Sequence, residues 1–525
     1  MRVTFPVLGL VAGLALLSCT DKPKAAAPPP AKLGPIETPE DLLGTLLVRD
    51  VGVLTETNAG LLGSGNPLPD MRKAPKGVGE AVSDLDLHAP LAVVVLGDLR
   101  KSESWHFVAA GKLQHAQKTR EKLASQQKGT DSAATGTTVF AADKGAITVL
   151  GDYLVFGDTS TALDAAGRFT AREAADGTPP HDLVLHVSLG KFAGALRKDA
   201  EQSWKEKGKD PDLGSIEPLE RILVEAIGDL GDVDAWTDQD KENWSMEVRV
   251  GATGKLSDLL AAYPSAPVTS MMSLPKASSA GLIRFPDAMA KAWEGVDPAQ
   301  SKSAWGSFVR SMGNEIAFSF AEKGAKPGDP FREILLRLEL ADPKAGKAAL
   351  QQLLGQEIGN KPDRKVARTP WSKQGADGET LTWTENGEKH EARWAIKAQH
   401  LYLDFALTGK MTLLDAAVDP NSKALFRNDP RSKAFEEKLP KQGLVAAYYG
   451  ETDKAPKASE LGAVATLAGV RLGALAVGKA GITATFTGPV SDLTALASSS
   501  SAPATPSASA APPASAAPSG KPKKP

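Results

Sequence analysis

The chain has 525 residues, with 61 lysine and arginine residues against 63 aspartate and glutamate residues, so its formal net charge is −2. A hydrophobic fraction of 42% and a charged fraction of 24% are typical of a globular protein and exclude a chain that is disordered throughout. The near-neutral charge gives no basis for nucleic acid as a partner, because phosphate binding needs a basic excess. A single cysteine excludes an intramolecular disulfide and a zinc site built from several cysteines.

The N-terminus has the pattern of an export signal that ends at the only cysteine. Arg2 supplies a positive charge, and a nearly unbroken apolar run extends from Val3 to Leu17. This run is shorter than the roughly 20 residues that a transmembrane helix needs, whereas a signal peptide has an apolar region of this kind. The segment Leu16-Leu17-Ser18-Cys19 that follows resembles the lipobox of bacterial lipoprotein precursors.

This resemblance implies that residues 1–18 are a signal peptide and that cleavage occurs between Ser18 and Cys19. The Cys19 thiol would then carry diacylglycerol, and the new amine would carry a further acyl chain such as palmitate. Each buried CH₂ group contributes about 0.8 kcal/mol, so these chains would hold the protein on a membrane without a spanning helix. The implied location is the cell envelope, on the periplasmic side or at the cell surface. The alternative is an ordinary signal peptide in which Cys19 has no role.

Both ends of the chain are predicted to be tethers. The stretch that follows the cysteine, 20–36, contains five prolines and predicts an extended stalk, so 19–36 forms the lipidated and Pro/Ala-rich part. Residues 498–525 contain eight Ala, eight Ser, seven Pro and three Lys, a composition that cannot form a core and predicts a disordered tail.

Internal similarity is the most informative feature between the tethers. The tripeptides Ser257-Asp258-Leu259 and Ser491-Asp492-Leu493 each follow an alternating segment and a glycine. The tetrapeptides Leu163-Asp164-Ala165-Ala166 and Leu414-Asp415-Ala416-Ala417 each follow a short apolar segment. Alternation that ends at tight turns predicts antiparallel strands, and polar residues at the start of a helical pattern predict helix N-termini. These matches, in the same order, predict an α+β fold of two tandem copies of a mostly antiparallel sheet-and-helix unit.

The same matches set the predicted domain boundaries. The divisions are an N-terminal extension at 37–90, copy one at 91–262, a connecting strand and helices at 263–314, and copy two at 315–497. Predicted strands include 153–157, 244–251, 400–406 and 481–488, and the last of these is expected to be equivalent to 244–251. Leu259 and Leu493 are expected to be equivalent buried residues. The duplicated body is broadly similar to bacterial surface proteins, a resemblance that indicates no ligand.

A cluster of four aspartates is the candidate metal site in the sequence. Its members are Asp232, Asp234, Asp238 and Asp240. Carboxylate oxygens ligate Ca²⁺, but the spacing and the central glycine of an EF-hand loop are missing here. An acidic, solvated hairpin is the alternative interpretation. No other metal site and no cofactor site is predicted.

The remaining motifs give no enzyme signature. The seven histidines do not form the zinc-binding HExxH pattern, and no GxSxG nucleophile elbow occurs. His181 and His186 lie five positions apart in a predicted strand and are therefore expected on opposite faces. The segment Gly473–Ala480 has the glycine and lysine spacing of a phosphate-binding loop, but it lacks the hydroxyl residue and alternates like a hairpin.

These observations favour a lipid-anchored cell-envelope protein with a binding or scaffolding role and no catalytic activity. Its partners would be the membrane, through the N-terminal lipid, and an envelope protein or a cell-wall polymer. The groove between the two copies is the expected ligand site, because such junctions often hold ligands. The alternative is a secreted hydrolase whose site forms only in three dimensions, from histidines such as His106, His186, His390 or His400 with nearby carboxylates.

Overall fold

A computed structural model describes residues 36–52, 78–142, 145–207, 224–240, 242–263, 269–276, 279–285, 304–321, 333–359, 366–385, 387–406, 411–429, 432, 435–437, 439–440, 443–450 and 472–489. The predicted signal peptide, Ser18, Cys19 and the tail 498–525 lie outside these residues, so the predictions about them stay predictions. No helix within the described segments is both long enough and apolar enough to cross a membrane.

The described strands form one sheet of 20 strands, and every pairing between them is antiparallel. In chain order the strands are β1 Leu42–Val48, β2 Leu91–Leu96, β3 His106–Lys112, β4 Thr130–Ser132, β5 Thr137–Ala142, β6 Gly145–Leu150, β7 Tyr153–Gly157, β8 Leu183–Val187, β9 Leu230–Gln239, β10 Asn243–Ala252, β11 Ser279–Arg284, β12 Met312–Ala321, β13 Glu333–Leu340, β14 Ala367–Lys373, β15 Ala376–Glu385, β16 Glu388–Lys397, β17 His400–Ala406, β18 Leu444–Gly450, β19 Leu472–Gly478 and β20 Gly481–Pro489.

Helices interrupt the strands without regular alternation. In chain order the described helices are α1 Val78–Ser83, α2 Ala116–Gln126, α3 Ser160–Ala175, α4 Gly190–Lys207, α5 Gly254–Ala261, α6 Thr269–Met272, α7 Ala304–Ser311, α8 Pro343–Gly359 and α9 Leu413–Ala417. Thr159 caps the N-terminus of helix α3, because its side chain accepts a hydrogen bond from the backbone N–H of Ala162 at 3.1 Å.

The predicted fold class, two tandem α+β units, is wrong. Strand β10 hydrogen-bonds to β20 along its length, from the Asn243–Pro489 pair to the Gly251–Gly481 pair, and this pairing makes one continuous sheet. Two separate units would each have left one of these strands as an edge with unpaired N–H and C=O groups. Pairing the two edges satisfies those groups, which is the physical reason for a single sheet.

Corresponding strands follow in the same order on the two sides of the central pair, β10 and β20. One direction gives β10-β9-β8-β1-β2-β3-β7-β6-β5-β4, and the other gives β20-β19-β18-β11-β12-β13-β17-β16-β15-β14. Segments 244–251 and 481–488 form the central pair, and the two Leu-Asp-Ala-Ala segments follow β7 and β17 at corresponding places. The two halves of the single sheet therefore have the same topology.

A glycine at the centre makes the pairing of the halves sterically feasible. Gly481 has a φ of 142°, a conformation that residues with a side chain rarely adopt. A Cβ atom at this position would collide with the backbone oxygen of Val250 on the neighbouring strand. Close approach of β20 to β10 at this end therefore requires glycine.

Apolar cores cover both faces of the sheet towards its two ends. On one face, Val94 packs with helix α3 in the first half, and Ala474 packs with α9 in the second half. Cross-strand partners point to the same face of a sheet. Following these partners from Val94 across β1, β8, β9, β10 and β20 leads to the face that carries Ala474, so the two cores lie on the same face. Separate clusters on the opposite face include Val93 in the first half and Leu338 in the second. The candidate site lies on this shared face, on the strands between the two cores.

The core position of Leu163 yields a stability prediction. This residue on α3 is fully buried and packs within the first-half core. Leu163→Ala is expected to lower the free energy of unfolding by about 2–5 kcal/mol, because the substitution removes apolar contacts and leaves a cavity. Urea denaturation followed by tryptophan fluorescence measures this loss.

Leu259→Ala is the matched control for this measurement. Leu259 was expected to be buried but is only half-buried, since Leu256 and Leu260 are the residues of α5 that face the sheet. Its expected counterpart, Leu493, lies outside the described residues. Truncation of Leu259 should cost less than truncation of Leu163, and an equal or larger cost would contradict the assignment of the core.

Candidate functional site

Polar side chains line the middle of the sheet on the face that carries the α3 and α9 cores. Alternating positions of three neighbouring strands contribute to this surface, which we call the central polar face. It is formed by Asp234, Trp236 and Asp238 of β9, Ser245, Glu247 and Arg249 of β10, and Thr483, Thr485 and Thr487 of β20. Because side chains alternate along a strand, the period-two pattern of the sequence places all of these groups on one side.

An aromatic stack fixes the middle of the central polar face. The guanidinium carbon of Arg249 lies 4.5 Å from the ring centroid of Trp236. The His181 ring also stacks on Trp236, with centroids 5.3 Å apart and an angle of 18° between the planes. A cation over an indole contributes about 0.5–1 kcal/mol at exposed sites, so these contacts hold the Trp236 ring in one orientation.

Arg49 is the centre of an ion-pair network beside this stack. It follows β1 and lies 3.3 Å from Asp182 through Nη1 and 3.5 Å from Asp238 through Nη2. Its Nε donates to the Pro179 carbonyl at 3.1 Å, and Nη2 also donates to the Pro180 carbonyl. Each guanidinium nitrogen therefore already has an acceptor.

The two aspartates of this network are also held by other donors. The Asp238 carboxylate lies 2.7 Å from His181 Nδ1 and accepts the backbone N–H of Asp182 at 3.2 Å. The Asp182 carboxylate accepts the backbone N–H of Gln239 at 2.7 Å. These bonds tie the segment before β8 to the end of β9, and they preorganise the polar groups that a ligand would meet.

A cavity of about 620 Å³ opens at this network, where the two halves of the sheet join. We call it the mid-sheet cavity. The first half contributes Arg49, Asp182, Asp238, Gln239, Asp240, Asn243, Trp244 and Ser245, and the second half contributes Phe435, Tyr449, Leu472, Thr487 and Gly488. Its volume falls in the range of about 300–1,000 Å³ that is usual for small-molecule sites.

The two walls of the mid-sheet cavity differ in chemistry. The first-half wall carries the Arg49 network described above. The second-half wall is aromatic, because the rings of Phe435 and Tyr449 pack edge to face with centroids 5.6 Å apart. Phe426 supports both rings from the core, at 5.8 Å from Phe435 and 5.2 Å from Tyr449. A ligand in the cavity would meet polar groups on one side and an apolar surface on the other.

Two N–H donors of the lining residues have no acceptor within the described structure. They are the side-chain amide nitrogen of Gln239 and the indole nitrogen of Trp244, and both atoms are buried. Gln239 and Trp244 are cross-strand partners next to the Asp238–Ser245 pair, so their side chains lie on the face opposite the central polar face. Asp240 is an acceptor, since its carboxylate receives the backbone N–H groups of Asn243 at 2.6 Å and Glu242 at 2.7 Å. These bonds hold the pKa of Asp240 below its usual value.

The four aspartates that suggested calcium each have their own partners. Asp232 accepts the backbone N–H of Gly190 at 3.0 Å, and Asp234 lies 2.8 Å from His186 Nδ1. Asp238 belongs to the Arg49 network, and Asp240 caps the turn between β9 and β10. In the described segments, no three His, Cys, Asp or Glu side chains come together in a way that could hold a metal ion.

The placement of two histidines differs from the prediction. His181 and His186 were expected on opposite faces, but β8 begins only at Leu183, so His181 does not follow the strand alternation. The two imidazoles contact Asp238 and Asp234, which are alternate residues of β9 and therefore share a face.

The histidines named for a hydrolase lie on different strands. His106 on β3 is 3.2 Å from Asp158, whereas His186 on β8 pairs with Asp234, and strands β1 and β2 separate the two. His390 on β16 stacks on Trp383, at 5.5 Å between ring centroids. Burial lowers the pKa of His400 on β17 to about 4, with a further contribution from the positive charge of Arg337.

A second polar cluster is fully buried in the other half. Glu333 on β13 and Asp404 on β17 have no exposed surface, and their carboxylates contact each other. Glu333 accepts the backbone N–H of Thr412 at 2.5 Å and of Leu413 at 2.6 Å, and Asp404 accepts that of Leu414 at 3.1 Å. Burial, and then the charge of Glu333, raise the pKa of Asp404 to about 8. Asp404 therefore keeps its proton at neutral pH, and the hydrogen bonds of the two carboxyl groups fasten the start of α9 to the sheet.

Sequence reasoning predicted a ligand groove between two copies, and the structure has a cavity at the junction of the halves, but most of the residues that line it were missed. Arg49, Asp182, Phe435 and Tyr449 were not singled out as site residues. They are separated by more than 100 residues in several cases, as the 133-residue separation of Arg49 and Asp182 (182 − 49) shows. Local spacing carries no signal for such a site.

Comparisons with known proteins add no functional assignment. No protein-family model matches the chain, and no curated protein does so. Among solved structures, crystal form III of TP0453 is similar at a TM-score of 0.22 and 9% identity, covering 42% of this chain and 81% of that one. Crystal form IV has a TM-score of 0.23 and 9% identity, covering 40% of this chain and 76% of that one. Such low TM-scores support no inference about fold or function.

Proposed function

We propose that this protein is a lipid-anchored cell-envelope protein whose body binds a ligand in the mid-sheet cavity without chemical conversion. The observation that carries the proposal is that both halves of the sheet line one cavity of about 620 Å³. Concave junctions of this size, with an apolar wall and a few oriented polar groups, are common ligand sites. The export signal and lipobox pattern support a location on an envelope membrane, on the periplasmic side or at the cell surface.

The polar groups of the cavity favour binding over catalysis. A general base must be able to take a proton from substrate, and a nucleophile needs such a base within hydrogen-bond reach. The carboxylates of Asp182 and Asp238 instead hold Arg49, His181 and backbone N–H groups in a fixed network. Such a network orients a ligand and stiffens the wall.

A substitution that fills the cavity tests this function. Thr487 lines the cavity, whereas Thr483 lies on the same face of the same strand, beside Arg249 and outside the cavity. Thr487→Trp should occupy ligand space, and Thr483→Trp should place the same indole away from it. The full-length protein, purified in detergent, is exposed to a small-molecule extract of the envelope of its source cells, and the thermal midpoint is measured.

The extract is expected to raise the midpoint of the wild type and of Thr483→Trp, because a ligand that binds only the folded state stabilises it. The midpoint of Thr487→Trp should stay unchanged. An extract that stabilises none of the proteins, or stabilises Thr487→Trp as well as the wild type, would refute the mid-sheet cavity as the ligand site.

A further inference from the structure

We infer that the ligand of the mid-sheet cavity is a neutral saccharide. This inference rests on the proposed function and names the chemical class that the same site would take. Three features carry it: an arginine whose three nitrogens each have an acceptor, two walls of different polarity, and lining groups that offer both hydrogen-bond donors and acceptors.

The ionic groups of the cavity disfavour a charged ligand. Arg49 is the cation of the lining, and its nitrogens are all engaged by Asp182, Asp238 and two proline carbonyls. An anionic ligand would have to break these bonds and approach three carboxylates, including that of Asp240. The carboxylates of Asp182 and Asp238 already bind Arg49, His181 and backbone N–H groups, so a cation would have to compete with these donors for their oxygens.

The two walls fit the two kinds of surface on a sugar ring. A pyranose presents C–H groups on its faces and hydroxyl groups around its rim. The partly buried ring of Tyr449, which packs on the buried ring of Phe435, can contact the C–H face, and the Arg49 network lies across the cavity from it. Aromatic side chains present large apolar surfaces, and the Tyr449 hydroxyl adds a polar end.

The lining also has the mixed hydrogen-bond capacity that hydroxyl groups require. Each sugar hydroxyl donates one bond and accepts others, so its site needs both kinds of partner. Asp240 provides a carboxylate acceptor, and the hydroxyls of Ser245 and Thr487 can each donate or accept. Ser245 and Thr487 are cross-strand neighbours, so their hydroxyls lie side by side on the central polar face.

Isothermal titration calorimetry with defined probes tests the inference on the full-length protein in detergent. The neutral probes are maltotriose and the trimer of N-acetylglucosamine, and the charged probes are spermidine and inorganic phosphate. At least one neutral trisaccharide should bind the wild type and Thr483→Trp equally, and at least tenfold more weakly to Thr487→Trp. Ser245→Ala, which removes a hydroxyl that lines the cavity, should weaken neutral-sugar binding at least fivefold.

The outcomes separate the inference from the proposed function. Cavity-dependent binding of spermidine or phosphate, without binding of either trisaccharide, would overturn the saccharide inference and leave the binding function in place. The same conclusion would follow if the envelope extract stabilised the wild type but neither trisaccharide bound. Failure of the extract and of every probe would overturn both. Sugar binding that Thr487→Trp does not weaken would place the saccharide outside the cavity and overturn the inference.

Discussion

The free energy of unfolding of the wild type is expected to fall as the pH rises from about 4 to about 8, and replacing Asp404 by asparagine should abolish this fall. Burial raises the pKa of Asp404 from 3.8 to about 8 in the folded protein, with the charge of Glu333 as the next cause. In this pH window the folded state holds a proton that the unfolded state has released, so the free energy of unfolding falls with pH. The contribution of this group is fully present below about pH 4 and lost by about pH 8.

Asparagine preserves the hydrogen bonds of the protonated carboxyl group without its titration. Its side-chain oxygen can accept the backbone N–H of Leu414, as Asp404 does, and its amide nitrogen can donate to Glu333. The stability of Asp404→Asn relative to wild type should therefore rise by up to about 1.4 kcal/mol per pH unit across the window. Urea denaturation at pH 5, 6, 7 and 8 measures this slope.

Asp415→Asn is the matched control for the pH series. Asp415 lies on α9 beside the buried pair, but its side chain is 38% exposed and pairs with Arg393 and Lys373. Arg393 also faces Asp404 and favours its ionised form, so it opposes the rise in pKa. Asp415→Asn should keep the wild-type dependence on pH. Parallel curves for Asp404→Asn and the wild type would contradict the raised pKa of Asp404.

Local sequence patterns were sufficient to locate many strands. The predicted strands 153–157 and 400–406 coincide with β7 and β17, and 481–488 falls within β20. Each is bounded by a glycine or a polar turn and alternates or is apolar throughout, so the local signal agrees with the final structure. The hairpin expected in place of a phosphate-binding loop is confirmed, because β19 returns directly into β20 through Lys479 and Ala480.

Other strands gave a weaker signal for identifiable reasons. The sequence of Thr38 to Val53 predicts either a helix or a strand followed by a helix, because the segment LLGTLLV is apolar on both faces and lacks alternation; the structure has the strand β1 there. Strand β14 contains Pro370, which lowers the strand signal even though the residue pairs with Glu379 in the sheet.

The fold class and the site depended on information that local patterns do not contain. Which edge strand pairs with which is decided by long-range contacts, and nothing in the alternation of 243–252 specifies β20 as its neighbour. The same limit applies to the mid-sheet cavity, whose lining comes from segments on both sides of that pairing. The sequence allowed a general prediction of a site at the junction. It could not identify Arg49 and Tyr449, because only the register of the sheet brings these distant residues to the same cavity.

Replacing Cys19 by alanine is expected to move the protein from the membrane fraction to the soluble fraction. If the lipobox assignment holds, Cys19 carries all of the acyl chains, and each buried CH₂ of those chains contributes about 0.8 kcal/mol to membrane affinity. A single acyl chain gives only marginal binding, so stable anchoring needs two or more signals, and Cys19→Ala removes all of them together. The expected effect is therefore close to complete. Fractionation of cell membranes, followed by detergent phase separation and labelling with a palmitate analogue, measures it.

Thr20→Ala is the control for this experiment, because it changes the next residue and leaves Leu16-Leu17-Ser18-Cys19 intact. This variant should stay in the membrane fraction and incorporate the label as the wild type does. Cys19→Ala should still respond to the envelope extract, since the mid-sheet cavity lies more than 20 residues beyond the proposed anchor in sequence and uses none of its atoms. Retention of Cys19→Ala in the detergent phase would show that another part of the chain holds the membrane, and the anchor would have to be sought in the body.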